Sequence, residues 1–180
     1  GHGGIDPGAE ASGIKEADLM LTMARELRDG LRRTEGLDAV LTRDADVFVA
    51  LERRVALAKA AGADLFVSLH ADALAKGQAR GATVYVLDTE ASDAASAALA
   101  ERHDRTGLLT GVDLTGTDDS VALLLMDLAR VETAPRSQAL AEHLVERIRA
   151  AVGSVHKRPL RRASYSVLKA ADIPSGLVEV

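Results

Sequence analysis

ADLFVSLHAD, residues 63–72, is the stretch that decides the fold. From Asp64 to Leu69 it is a near-continuous apolar run, the pattern of a strand buried on both faces of a parallel sheet. It carries His70 and Asp72 to its C-terminal end. Downstream, Ala82–Leu87 predicts a second strand after Gly77 and Gly81, and Leu177–Val180 predicts a last strand bearing Glu179. Between them, a long helix is expected from a cap at Asp119 or Ser120 to about Val152, kinked or broken at Pro135. Ser164–Lys169 reads as a further short strand. Upstream, Leu51, Val55, Leu57 and Ala58 predict the inward face of a helix over Phe48–Ala61, and Ala39–Thr42 a short strand. Leu19, Met20, Met23, Leu27 and Leu31 recur at helical spacing from Glu16 to about Arg33, and residues 1–14 read as a glycine-punctuated loop. Strand and helix alternate. The expectation is an α/β fold, a single domain with a twisted, mostly parallel sheet flanked by helices.

A chain of 180 residues suits one domain with a substantial core, and with 2% aromatic residues that core must be Ala, Leu and Val. A net charge of −5 argues against a general nucleic-acid binder. The cluster Lys157, Arg158, Arg161 and Arg162 is too local to reverse that and reads as a solvated loop. No cysteine is present, which excludes disulfides and thiolate metal ligands. No apolar run reaches membrane-spanning length, so no membrane insertion is expected.

The chemistry gathers at GHGGIDPGAEASGIKEADL, residues 1–19. Glycines let a backbone wrap closely round an ion, and His2 followed by Glu16 offers two metal ligands. In open sheets, sites form beyond the carboxyl ends of strands, where His70 and Glu179 are placed. Each residue alone has a blander reading: a histidine among glycines is often a loop residue, and an acid suits a helix's first turn. Together they change the balance. His2, Glu16 and His70 form a two-histidine, one-carboxylate set for a catalytic zinc, one ion per chain, with Glu179 free to carry protons. The residues alone support metal-assisted hydrolysis.

GHGGIDPGA, the helix-opening Glu16, LTRDADVFVALERRVALA, ADLFVSLHADA and VLKAADIPSGLVEV together resemble the zinc-dependent N-acetylmuramoyl-L-alanine amidases of the amidase-3 type. The resemblance covers most of the chain in the family's order. It implies that His2, Glu16 and His70 bind zinc and that Glu179 is the catalytic glutamate. It also implies hydrolysis of the amide joining N-acetylmuramic acid to L-alanine in peptidoglycan. The family's pattern has a strand and Asp-Pro before GHGG and a Gly-Phe-x-Ser-Asn segment after the final glutamate. Neither flank is in this sequence, so the expectation is a catalytic domain over residues 1–180, trimmed at both ends. The same ligand set also serves peptidoglycan peptidases, and a non-catalytic wall-binding regulator is a further alternative.

Residues 88–119 narrow the resemblance. Simple family members have a short connection there, whereas a longer helical insertion is similar to the Gram-negative cell-division amidases. That implies a periplasmic enzyme whose signal and targeting domain lie outside this sequence, a regulatory insertion over the site, and a LytM-type activator that displaces it. Glu101, His103 and Asp104 are the candidates for an inhibitory metal ligand, His103 being favoured. Leu108, Leu109, Val112 and Leu114 would pack the plug or receive the activator. Asp72 and Arg43 are candidates for substrate contact or support of the ligands, and Arg43 and Arg53 for buried salt bridges bracing the site loops. Asp6 and Glu10 read as solvated loop acids, and neither His143 nor His156 is assigned to the metal.

Overall fold

The glycine-rich start already contains order. A computed structural model describes residues 1–71, 81–88, 91, 92, 94, 96–101 and 120–180, with only the backbone over 120–129. Strands β1 (Glu10–Ala11) and β2 (Ile14–Lys15) form a small antiparallel hairpin where a plain loop was expected. Its two turn residues, Ser12 and Gly13, take φ of 52° and 79°. That doubly positive turn matches the twist of the flanking strands. Helix α1 (Glu16–Arg32) follows directly, within one residue of its predicted end.

Strands β3 (Phe66–His70), β4 (Ala82–Leu87), β5 (Val155–Ala163) and β6 (Ser175–Glu179) form the main sheet, in the order β3-β6-β4-β5. β3 with β6 and β4 with β5 run parallel, while β4 and β6 run antiparallel, so the sheet is mixed. The register sets His70 beside Glu179. Helix α1 and the long helix α3 (Ser120–Val152) cover one face, packing Met20 and Ala141 on Leu69, Val84, Val86 and Val178. Helix α2 (Leu51–Ala60) and the 3-10 turn Ser166–Leu168 cover the other with Ala58, Tyr165 and Leu168 against Phe66, Tyr85 and Leu177. Each fully buried Leu or Val there contributes roughly 1.5–3 kcal/mol. The scarce aromatics are spent centrally: Tyr85 and Tyr165 meet edge-on with ring centroids 5.3 Å apart.

Four local expectations are corrected. Ala39–Thr42 forms no strand; Val40 is 57% exposed and has no face to bury. Ser164–Lys169 gives the 3-10 turn instead of a strand. The basic cluster expected in a loop lies on β5, with His156, at the sheet's edge. Charges and Pro159 disguise that strand, yet both are features of edges, and the pairing slips between Ala82 and Val84. Finally, of the kink or break expected at Pro135, the break does not occur: α3 stays helical through it. Proline there removes the hydrogen bond to the carbonyl of Val131, and that residue is 73% exposed, where water can replace it.

Candidate metal centre

The loop before α1 curls because Gly3 and Asp6 exchange backbone hydrogen bonds of 2.7 and 3.2 Å. The curl brings the Asp6 carboxylate to His2, 2.6 Å from Nδ1, while its other oxygen accepts the Gly8 N–H at 3.2 Å. An ionised carboxylate only accepts, so Nδ1 of His2 carries the hydrogen. Nε2 then faces Glu16, 3.4 Å from Oε2. Gly8 closes the cradle with φ +71°; a Cβ there would lie 2.5 Å from the His2 ring and 2.6 Å from Glu16 Oε2. No other residue type fits without moving a ligand.

Glu16 opens α1 and is buried. Its Oε2 accepts the Ala9 N–H at 2.9 Å, and Oε1 accepts the Ala71 N–H at 3.0 Å, tying the loop to the chain leaving β3. Oε1 also lies 3.0 Å from Nδ1 of His70. The other nitrogen of His70, Nε2, is 3.1 Å from the hydroxyl of Ser68, two residues back on the same strand face. The two imidazoles meet edge-on, centroids 5.0 Å apart. Burial opposes ionisation of Glu16, but hydrogen bonds from His2 and His70 prevail and hold its carboxyl far below the usual range. Burial likewise disfavours charge on His2, yet Asp6 and Glu16 outweigh it and raise the ring to about 9.

One donor atom from each of His2, Glu16 and His70 falls within 4.8 Å of the others. Two imidazole nitrogens and a carboxylate oxygen are a donor set that zinc accepts, and three protein ligands leave a position open for reaction. The residues fit that ion. Among the described residues, this trio is the group of His, Asp and Glu side chains that converges closely enough to hold a metal. Glu179 is buried, beside His70 in register and at the end of the neighbouring strand.

The remaining nominated residues divide. Among the described residues Arg43 makes no salt bridge; it donates to the carbonyls of Ala17 at 2.7 Å and Ala45 at 2.9 Å, pinning α1's first turn to the loop after Thr42. Arg53 is exposed, and the buried arginine is Arg54, donating to Val49 O at 3.0 Å and near Thr42 Oγ1 at 3.4 Å. Burial, then the charge of Arg43, lowers its pKa to about 10. Helical spacing held the signal, since Arg54 shares a face with Leu51 and Ala58. Glu10 is exposed, as expected, and Glu101 is exposed on helical residues 96–101. Asp72, His103, Asp104 and the run Leu108, Leu109, Val112 and Leu114 lie outside the described residues. Asp6 and Ser68 were missed as partners of the two imidazoles. Their spacings, four residues from His2 and two from His70, were the available signal.

The family model Amidase_3, described as N-acetylmuramoyl-L-alanine amidase, matches residues 1–180. The chain is 40% identical over 181 residues to N-acetylmuramoyl-L-alanine amidase AmiA of Escherichia coli (strain K12), covering 99% of this chain and 62% of that protein. It is 36% identical over 180 residues to AmiC of Neisseria meningitidis serogroup B, covering 99% of this chain and 43% of the relative. It thus spans less than two thirds of either relative's length. Among solved structures, AmiC2 of Nostoc punctiforme superposes with a TM-score of 0.58 at 28% identity, covering 100% of this chain and 74% of that one.

Proposed function

Because the chain belongs to the Amidase_3 family of N-acetylmuramoyl-L-alanine amidases, we propose that it is a zinc-dependent catalytic domain that cleaves peptidoglycan. The bond is the amide between the lactyl group of N-acetylmuramic acid and L-alanine, and the product is a free stem peptide. The observation that carries this reading is the convergence of His2, Glu16 and His70 within 4.8 Å, next to a buried carboxylate.

His2, Glu16 and His70 would hold the ion, whose chemistry when bound is to acidify a water and polarise the scissile carbonyl. Glu179 takes the attacking water's proton and returns it to the leaving amide nitrogen, as general base and then general acid. Asp6 and Ser68 hold the imidazoles, Gly8 leaves room for them, and Arg43 fixes the helix that presents Glu16. Each of these acts before chemistry starts, so the site is set before substrate arrives.

The proposal extends to regulation. In this reading residues 88–119, most of which lie outside the described residues, would act as a regulatory insertion that keeps basal activity low until a LytM-type activator relieves it, in an enzyme of the periplasm acting in cell-wall remodelling and daughter-cell separation. Support comes from the root of this segment. Ser96 and Ala100 are buried, Ala100 against the sheet face whose alternation also carries His70 and Glu179. β5 grips the same root: Ser92 N–H donates to Arg162 O at 2.9 Å, Arg162 N–H to Ser92 Oγ at 2.8 Å, and the Arg162 guanidinium meets Asp88 at 3.2 Å.

The test is digestion of purified muropeptides with the zinc-loaded protein, followed by mass spectrometry. Free peptides beginning with L-alanine are expected. Products cut inside the stem peptide would assign the protein to the peptidases instead.

A further inference from the structure

The two histidines of the centre are not held alike. Nδ1 of His2 is gripped by a carboxylate at 2.6 Å, and Nε2 of His70 lies 3.1 Å from a hydroxyl. The nitrogens that remain, Nε2 of His2 and Nδ1 of His70, are the pair that faces the Glu16 carboxylate, at 3.4 and 3.0 Å. We propose that Asp6 and Ser68 are positioning residues which dictate that zinc is taken by Nε2 of His2 and by Nδ1 of His70, with Asp6 the stronger of the two. The inference rests on the zinc reading above and adds which atoms bind and what selects them.

Three observations carry it. Asp6 is itself fixed, because its second oxygen accepts the Gly8 N–H and its backbone is paired to Gly3, so its carboxylate cannot swing away from the ring without opening the loop. Rotating the His2 ring would bring a carbon–hydrogen edge against that carboxylate and forfeit a charge-assisted bond. Ser68 is 5% exposed on the same strand as His70, and its hydroxyl can accept the hydrogen that the ring carries on Nε2 once Nδ1 holds a metal. The asymmetry is chemical: an anionic partner raises the donor strength of an imidazole more than a neutral hydroxyl does.

The test reads the imidazoles themselves. In zinc-loaded protein labelled with nitrogen-15 on histidine, long-range ring correlations are expected to place the ring hydrogen of His2 on Nδ1 and that of His70 on Nε2. Asp6→Asn keeps the size and an oxygen for Gly8 but removes the anion; its zinc affinity, by competition with a chelating dye, should fall roughly 10–100-fold. Ser68→Ala should lower it less, by roughly fivefold, as for one neutral hydrogen bond, and Ser68→Thr should restore it. Ring hydrogens on the opposite nitrogens, or an unchanged affinity in both Asp6→Asn and Ser68→Ala, would overturn the assignment while leaving the zinc reading intact. Failure of the parent protein to bind zinc would overturn the zinc reading, and this assignment with it. Should either variant not fold, the ring spectrum of the parent decides alone.

Discussion

His70 and Glu179 are register partners on neighbouring parallel strands, and the Val180 N–H donates to the His70 carbonyl at 3.0 Å. Adjacent strands lie about 4.8 Å apart, and register partners in a parallel pair project to one face. A proposed metal ligand and a proposed proton carrier are thus fixed side by side by backbone pairing alone. Glu179→Gln tests the division of labour. It keeps the shape and most of the hydrogen bonding but cannot carry the proton. Zinc content should stay at the parent's level while turnover falls roughly 10²–10⁴-fold. A variant that loses zinc, and regains full turnover when zinc is restored, would make Glu179 a ligand or a scaffold.

Gly8 makes the sharpest steric prediction. A methyl group there meets the His2 ring at 2.5 Å and Glu16 Oε2 at 2.6 Å, at a φ of +71°. Left-handed backbone alone costs a non-glycine residue roughly 1–2 kcal/mol. Gly8→Ala should therefore lower thermal stability and, more strongly, zinc affinity, because both obstructed atoms belong to proposed ligands. Isothermal titration with zinc checks it, and parent-like affinity would count against the cradle. Gly13, whose absent Cβ meets nothing within 4 Å, supplies the control for backbone strain without a ligand clash.

The metal-free site has its own pH signature. His2 is raised from an ordinary 6.5 to about 9, so its contribution is complete below pH 6.5 and lost as pH climbs through about 9. Glu16 is shifted the opposite way, so its contribution is present above its ordinary 4.5 and lost only as pH falls into strong acid. In chelator, the melting temperature should drop between pH 6.5 and 9, from a loss of at most roughly 3 kcal/mol. Zinc must displace the ring's proton, so its affinity should rise over the same range. A flat melting curve from pH 6.5 to 9 in chelator would contradict the His2–Asp6–Glu16 cluster.

How much of this was legible beforehand varies with the kind of residue. β3 and β6 were readable because strands buried on both faces admit little but apolar side chains, and α1 because its apolar residues keep a helical period. β5 was not, since an edge strand tolerates Lys157, Arg158 and Pro159, which look like loop. The trio and Glu179 stood out through residue type at strand and helix ends. Asp6 and Ser68 did not, because an acid in a glycine-rich loop and a serine in a strand are common, and only the fold aims them at imidazoles. Arg53 and Arg54 were confused because adjacent helical residues point about 100° apart, and a one-residue error changes the face.

The insertion is tested by removal. Replacing residues 88–119 with a tight turn between β4 and α3 should raise activity on peptidoglycan if the segment covers the site. Far-ultraviolet circular dichroism establishes that the shortened protein is folded. Arg162→Ala removes the guanidinium–Asp88 pair but leaves the two Ser92 bonds to the Arg162 backbone, so it should raise basal activity in the same direction by a smaller factor. A folded deletion variant no faster than its parent would exclude the plug.

The most direct measurement is zinc K-edge X-ray absorption, with metal stoichiometry, on the protein before and after chelation and zinc restoration. The account predicts one zinc per chain, bound by two imidazole nitrogens at about 2.0–2.1 Å and by carboxylate and water oxygens, with amidase activity lost and regained alongside it. A protein that retains full activity after the metal has been stripped, or whose bound zinc has no imidazole in its coordination shell, would contradict it.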